Sequence, residues 1–198
     1  MTAMGQGTAL EGGEVLREDV HRQMVSLLGI GPVDGRAKLQ GMFFLVTYKV
    51  PEAGPVLRYA PGRHGPYSEV VGDALEHLVA GGMITEGPGG ISLTDRGREA
   101  GAAIRGGMDP WIMRLLGAYR DALNDLTGDE LLAFMYTLFP DMAAESEDHD
   151  RIMSDLEPLV MALVKKEKIS SGRAAELLGV TQDKIFNNMR RMGIQIFY

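Results

Sequence analysis

Gln182, Lys184, Asn187, Asn188, Arg190 and Arg191 crowd one short stretch near the C-terminus, with Ser171, Arg173 and Thr181 just ahead of them. These side-chain types suit contact with nucleic acid. Gln, Asn and Arg can make paired hydrogen bonds to base edges, while Lys and Arg neutralise phosphate. A helix carrying such residues can equally be a solvated face, so the spacing around them has to decide.

Other chemistry has little support. His21, His64, His77 and His149 are scattered, with no HExxH pattern and no two His four residues apart. Asp148-His149-Asp150 has metal-ligand types, but carboxylates within an acidic run read as solvated charge. The chain has no Cys, which excludes disulfides, thiolate-bound zinc and cysteine catalysis and fits a reducing compartment. No Gly-x-Ser-x-Gly elbow is present. The Gly-rich pieces near residues 5 to 13 and 87 to 90 lack the Lys and the strand–loop–helix context of a phosphate loop. We expect a protein that is not an enzyme and uses no cofactor or metal.

The stretch Ser171-Gly-Arg-Ala-Ala-Glu-Leu-Leu-Gly-Val-Thr-Gln-Asp-Lys-Ile-Phe-Asn-Asn-Met-Arg-Arg191 supplies elements that would position the polar residues. Ala174 and Ala175 are small where two helices must cross closely. Gly179 falls where the turn needs positive φ, and Val180 and Ile185 are the apolar contacts that set the hairpin. Thr181 can cap the second helix. This is the register of a helix-turn-helix. The competing reading is that the same helices only pack in a bundle or dimer interface.

Charge is divided along the chain. The net charge of −7 suggests poor attraction for nucleic acid, but residues 158 to 198 hold 7 basic and 3 acidic residues. Residues 109 to 157 hold 3 basic and 12 acidic residues, and residues 1 to 108 hold 10 and 12. A local basic patch matters more for phosphate than the total does.

Upstream, apolar periodicity predicts helices over about Glu14 to Leu28 and Arg36 to Lys49, then a loop with a short strand at Val56 to Tyr59. Ser68 caps a third helix that ends at Gly81 and Gly82. Met83 to Glu86 and Ile91 to Thr94 read as strands of a β-hairpin, and Asp95 as the cap of a helix running into Arg105. Ile112, Leu115, Leu116, Tyr119, Leu123 and Leu126 form one stripe. Thr127 with Glu130, and Ser154 with Glu157, are two candidate capping boxes. Apolar runs such as Met42 to Val46 are too short to span a membrane. The start has no signal-peptide pattern, so a cytoplasmic protein is expected.

Lys38-Leu-Gln-Gly-Met-Phe-Phe-Leu-Val-Thr-Tyr48, Gly65-Pro-Tyr-Ser68 opening a helix, and Leu78-Val-Ala-Gly-Gly-Met-Ile84 followed by Leu93-Thr-Asp-Arg-Gly97 resemble winged-helix domains of prokaryotic regulators. The C-terminal Ile169-Ser170, Arg173-Ala174-Ala175-Glu176, Gly179, Phe186 and Gly193-Ile194 are similar to a family of small prokaryotic antitoxin-like proteins that end in a short apolar strand. The upstream helices resemble regions found in longer archaeal relatives. The winged helix adds a second candidate surface at Arg63, Tyr67, Ser68 and Arg96, for DNA or a partner.

The expected fold is mainly α with a small β-hairpin: a winged helix, a helical linker and a C-terminal helix-turn-helix. The expected divisions are 1–13 (a flexible arm), 14–106 (winged helix), 107–150 (acidic helical linker) and 151–198 (helix-turn-helix). The leading expectation for function is a homodimeric regulator binding double-stranded DNA, with no membrane partner. The alternative is an antitoxin-like or adaptor protein whose main contact is a toxin or another protein.

Overall fold

The computed structural model describes residues 20–50, 54–104 and 109–194. The chain is mainly helical with two small β-hairpins, and divides into two compact units. The first holds the chain up to Ala60 and Tyr67–Asn124; the second holds Pro61–Pro66 and Asp125 onward. The expectations for the terminal arm and for a helix start at Glu14 lie outside the described residues, as does the end at Arg105.

In the first unit, α1 covers residues 20–30 and α2 Arg36–Lys49. A single helical turn, α3, spans Gly54–Leu57; the short strands β1 (Ala60–Gly62) and β2 (Gly65–Tyr67) that follow pair with each other, and residues 61–66 of them belong to the second unit. Then come α4 (Glu69–Ala80), β3 (Ile84–Gly87), β4 (Gly90–Leu93), α5 (Asp95–Ile104) and α6 (Pro110–Leu123). The order α1, α2, α4, hairpin agrees with the element order expected from the sequence. The connection between α2 and α4, however, is not the open loop with a strand at Val56 to Tyr59. Leu57 closes a helical turn and is buried, and strand pairing starts only at Ala60.

The core of this unit gathers on α2, which is apolar or buried through most of its length. Phe43, Met42 and Leu39 are fully buried, as are Met24, Leu27, Ile91, Leu116 and Leu123 in the same unit. Each such side chain contributes roughly 1.5–3 kcal/mol by leaving water. The polar residues on α2 have partners. Lys38 Nζ donates to Asp34 Oδ2 at 2.5 Å and to the Asn124 carbonyl at 2.9 Å. Gln40 exchanges hydrogen bonds with the Ser68 backbone, donating to its carbonyl at 3.0 Å and accepting from its N–H at 3.1 Å. This pins the start of α4 to α2.

β3 and β4 pair in antiparallel register with Ile84 opposite Leu93 and Gly87 opposite Gly90. Val33 bridges to Ile91 on the open edge of β4. Gly90 has φ +90, and a Cβ there would lie 2.4 Å from the Val33 carbonyl oxygen, so glycine is what lets that bridge form. Asp95 is not the cap of α5. Thr94 fills that place, its Oγ1 accepting from the Gly97 N–H at 3.1 Å, while Asp95 pairs with Arg98.

The second unit comprises α7 (Gly128–Leu138), a 3-10 turn (Pro140–Ala143), α8 (His149–Ser154), α9 (Leu156–Lys165), α10 (Ser171–Leu178) and α11 (Gln182–Arg191), with residues 61–66. The capping box at Thr127 forms: its Oγ1 accepts from the Glu130 N–H at 3.2 Å, and Glu130 Oε2 accepts from the Thr127 N–H at 2.7 Å. The second capping box does not. Ser154 closes α8, its hydroxyl donating to the Arg151 carbonyl at 2.8 Å, and Asp155 stands before α9. Glu157 faces elsewhere, accepting from Asn188.

Candidate nucleic-acid interface

α9, α10 and α11 share one apolar cluster made of Val160, Met161 and Val164, then Ala174 and Ala175, then Ile185 and Met189. Ile185 and Ala174 are fully buried. The methyl side chains of Ala174 and Ala175 occupy the place where α10 meets its neighbours, and larger ones would hold the helices apart.

Ser170 starts α10 with its Oγ accepting from the Arg173 N–H at 3.1 Å. Gly179 ends it in the left-handed region at φ 62, and the Val180 N–H donates back to the Ala175 carbonyl at 3.0 Å. That 6→1 bond with a left-handed residue is a Schellman closure. Two residues later Thr181 caps α11, its Oγ1 accepting from the Lys184 N–H at 3.4 Å. The turn is therefore three residues long, from Gly179 to Thr181.

With Ile185 and Met189 turned inward, a helix advancing about 100° per residue points Asn187 most directly away from the cluster, with Asp183 and Arg190 to one side of it and Lys184 and Arg191 to the other, all within about 60°. All five are exposed. Arg190 Nη1 donates to Asn187 Oδ1 at 3.1 Å, joining those two side chains on the outer face. Lys184 and Arg191 make no side-chain hydrogen bond or ion pair among the described residues.

Other members of the predicted set have other duties. Thr181 is a cap. Gln182 Nε2 donates to Ser171 Oγ at 3.2 Å, which links the starts of α10 and α11. Asn188 Nδ2 donates to Glu157 Oε1 at 3.0 Å and ties α11 to α9. Arg173 pairs with Glu176 at 2.9 Å one turn along α10. Sequence reasoning passed over Asp183, although its spacing two residues before Ile185 places it on the outer face.

The basic balance of this segment is thinner than the count suggests. Lys166 Nζ sits 2.6 Å from Glu130 Oε2, and Lys168 Nζ sits 3.1 Å from Asp125 Oδ1. Glu130 is buried, which opposes its ionisation, but the hydrogen bonds from Lys166 and Thr127 outweigh that and hold its carboxyl below the usual glutamate range. Lys165, Lys184, Arg190 and Arg191 remain without a carboxylate among the described residues.

The second predicted surface is dispersed. Arg63 pairs with Glu147 at 2.6 Å, and Tyr67 and Arg96 are exposed. Ser68 is fully buried, its hydroxyl donating to the Leu57 carbonyl and accepting from the Val71 N–H at 3.3 Å. That corrects its expected contact role: Ser68 is committed to capping α4. The exposed residues of α4 include Glu69, Asp73 and Glu76; Glu76 is paired with Arg36 at 2.5 Å, which leaves Glu69 and Asp73 to repel phosphate.

In the acidic stretch, His64 lies 3.2 Å from Asp148, Asp148 pairs with Arg151 at 2.9 Å, and Arg151 forks onto Asp129 at 2.8 Å. The Arg151 hydrogen bond, followed by that from His64, keeps the Asp148 carboxyl below its ordinary range. Among the described residues no group of three His, Cys, Asp or Glu side chains could hold a metal ion, and no helix is long and apolar enough to cross a membrane.

Fold and site together define a mainly α-helical protein that presents a helix–turn–helix surface with a cationic outer edge. Set against protein-family models, curated proteins and solved structures, the chain matches none of them.

Proposed function

We propose that this chain is a non-enzymatic, cytoplasmic, DNA-binding transcriptional regulator that meets duplex DNA through α10 and α11. The observation that carries the reading is the pairing of two features on α11. Its inner face is anchored by Ile185 and Met189, and its outer face offers Lys184, Asn187, Arg190 and Arg191 to solvent. A rigid helix with donors and cations on one exposed side suits insertion into a major groove. The winged-helix-like unit would not add a second groove contact through α4, because carboxylates line that helix. As a homodimer the protein would present two copies of α11 to two half-sites.

An adaptor whose acidic residues 141–157 cover a basic partner has weaker support. Glu147, Asp148 and Asp150 are already paired with Arg63, Arg151 and His149.

The test is binding of the purified protein to its own promoter and to other genomic fragments across a salt series. Affinity should fall steeply as salt rises, because phosphate contacts release counterions. The double change Arg190→Glu and Arg191→Glu should weaken binding at least tenfold and leave helix content unchanged. A wild-type protein with no salt-dependent binding to any fragment would remove the DNA reading.

A further inference from the structure

We propose that α6 is the surface on which two copies of this chain meet. Trp111, Leu115, Ala118 and Ala122 form a seam that packs antiparallel against the same seam of a second copy, with Arg114 set against Asp121 at each end. This rests on the homodimer part of the reading above and names its interface.

α6 turns one side into its own unit, where Leu116 and Leu123 are fully buried. At about 100° per residue the seam lies roughly 120° around the helix from that pair. Its spacing of four, three and four residues is the one that keeps apolar side chains between two paired helices. Trp111 is 44 % exposed and Ala118 is exposed, while Leu115 and Ala122 are half-buried. A single exposed apolar side chain is ordinary, but a regular seam headed by a tryptophan marks a surface for a partner.

Two edges flank the seam, each about 80° from its centre: Ile112 and Tyr119 on one side, Arg114 and Asp121 on the other. One two-fold register satisfies all of these residues. Placing Leu115 opposite Ala118 of the second copy brings Trp111 opposite Ala122, Ile112 beside Tyr119 and Arg114 beside Asp121, and symmetry repeats each contact. Large side chains then face small ones along the seam, the apolar edges meet, and opposite charges meet. Arg114 has no hydrogen bond or ion pair among the described residues. Asp121 lies 2.8 Å from Arg120, yet its side chain stays 74 % exposed.

A parallel pairing would set Arg114 beside Tyr119 of the second copy and leave its charge unmatched. Opposite charges seven residues apart on one edge complement themselves only when the helix is turned end for end. That self-complementarity selects a second copy over an unrelated helix as the occupant. The helix has 14 residues and is about 21 Å long. Such a contact falls at the small end of specific interfaces, so a dissociation constant on the order of micromolar is expected.

The experiment is sedimentation velocity on the full-length protein over a concentration series, with circular dichroism confirming that each variant keeps its helix content. Ala118→Glu puts a charge into the centre of the seam and should raise the dimer dissociation constant at least tenfold. Arg114→Glu and Asp121→Lys should each raise it severalfold, because each sets like charges together at both ends. The double change Arg114→Glu with Asp121→Lys restores opposite signs and should return it to within about threefold of wild type. If the wild type dimerises and Ala118→Glu dimerises equally well, this inference fails while the homodimer reading stands. Single charge variants that weaken the dimer without rescue by the double change would overturn the antiparallel register. A wild type that stays monomeric throughout removes both the inference and the homodimer, and leaves the α11 contact with DNA to its own test.

Discussion

α4 and α11 begin alike and end differently. Each opens on a hydroxyl cap, Ser68 or Thr181, and each buries one apolar side against its own unit: Val71, Leu75 and Leu78 on α4, Ile185 and Met189 on α11. Their solvent sides carry opposite sign. α4 shows Glu69, Asp73 and Glu76, whereas α11 shows Lys184, Arg190 and Arg191 around a single Asp183. Capping and burial make a helix and orient it; the function of that helix is written on the residues that neither operation uses. The resemblance of the N-terminal sequence to winged helices would make α4 the groove-reading helix, yet the surface chemistry of the two helices favours α11 in the proposed reading.

The largest effects should come from the buried sides. Ile185→Ala and Leu75→Ala each empty a fully packed site and should each cost about 2–5 kcal/mol in urea unfolding. They should part company in DNA binding. Measured where both proteins remain folded, Ile185→Ala should lower duplex affinity because α11 loses its seat, and Leu75→Ala should leave it unchanged. Equal losses in both variants would erase the functional distinction between the two helices.

The caps should differ next. Removing the Ser68 hydroxyl leaves the Leu57 carbonyl and the Val71 N–H unpaired in a fully buried place, so Ser68→Ala should cost about 1–3 kcal/mol. Thr181 is exposed, and water replaces its single bond, so Thr181→Ala should cost about 0.5–1 kcal/mol. Urea midpoints for the two variants check the ranking.

Acid should expose an asymmetry that involves Glu130. Its carboxyl titrates below the ordinary value when folded, so its contribution is fully present above about pH 4.3, the unfolded value, and fades as pH falls through the lower folded value. Glu130→Gln should therefore flatten the loss of stability between pH 5 and 3 by roughly 1 kcal/mol or less. Urea midpoints at a series of pH values decide it; an unchanged slope would mean the Lys166–Glu130 pair contributes nothing.

The sequence showed most clearly what is local. The Thr127–Glu130 box, the Ser68 cap, the helix from Arg36 to Lys49 and the Gly179 turn all depend on residues within four positions of each other, and each appears in the structure. The failures depend on distant partners. Ser154 and Glu157 have the spacing of a capping box, but Asn188, 31 residues away, engages Glu157. The residues between α2 and α4 are rich in Pro and Gly and read as loop, yet Leu57 finds a buried place that makes a helical turn worthwhile. At the candidate site, charge counting could not foresee that Glu130 and Asp125 engage Lys166 and Lys168. Nor could it foresee which amides on α11 would bond within the chain. Asp183 was within reach, since helical spacing from Ile185 alone puts it outside.

The smallest expected effect is also the most direct test of the contrast between the two helices. Asp73 is exposed on α4 with no hydrogen bond or ion pair among the described residues, much as Asp183 is on α11. Each loses one negative charge on conversion to Asn, so any general gain in attraction for DNA would be the same for both. If α4 stays away from the duplex beyond a Debye length of about 8 Å at physiological salt, its charge is screened and Asp73→Asn should change affinity less than twofold. Asp183→Asn, applied to the same unselected duplex, should tighten binding severalfold, because the proposed interface would bring that carboxylate close to phosphate. Anisotropy titrations of the two variants at several salt concentrations separate the cases. Equal gains would place α4 as near to DNA as α11 and return the winged-helix surface to the binding site.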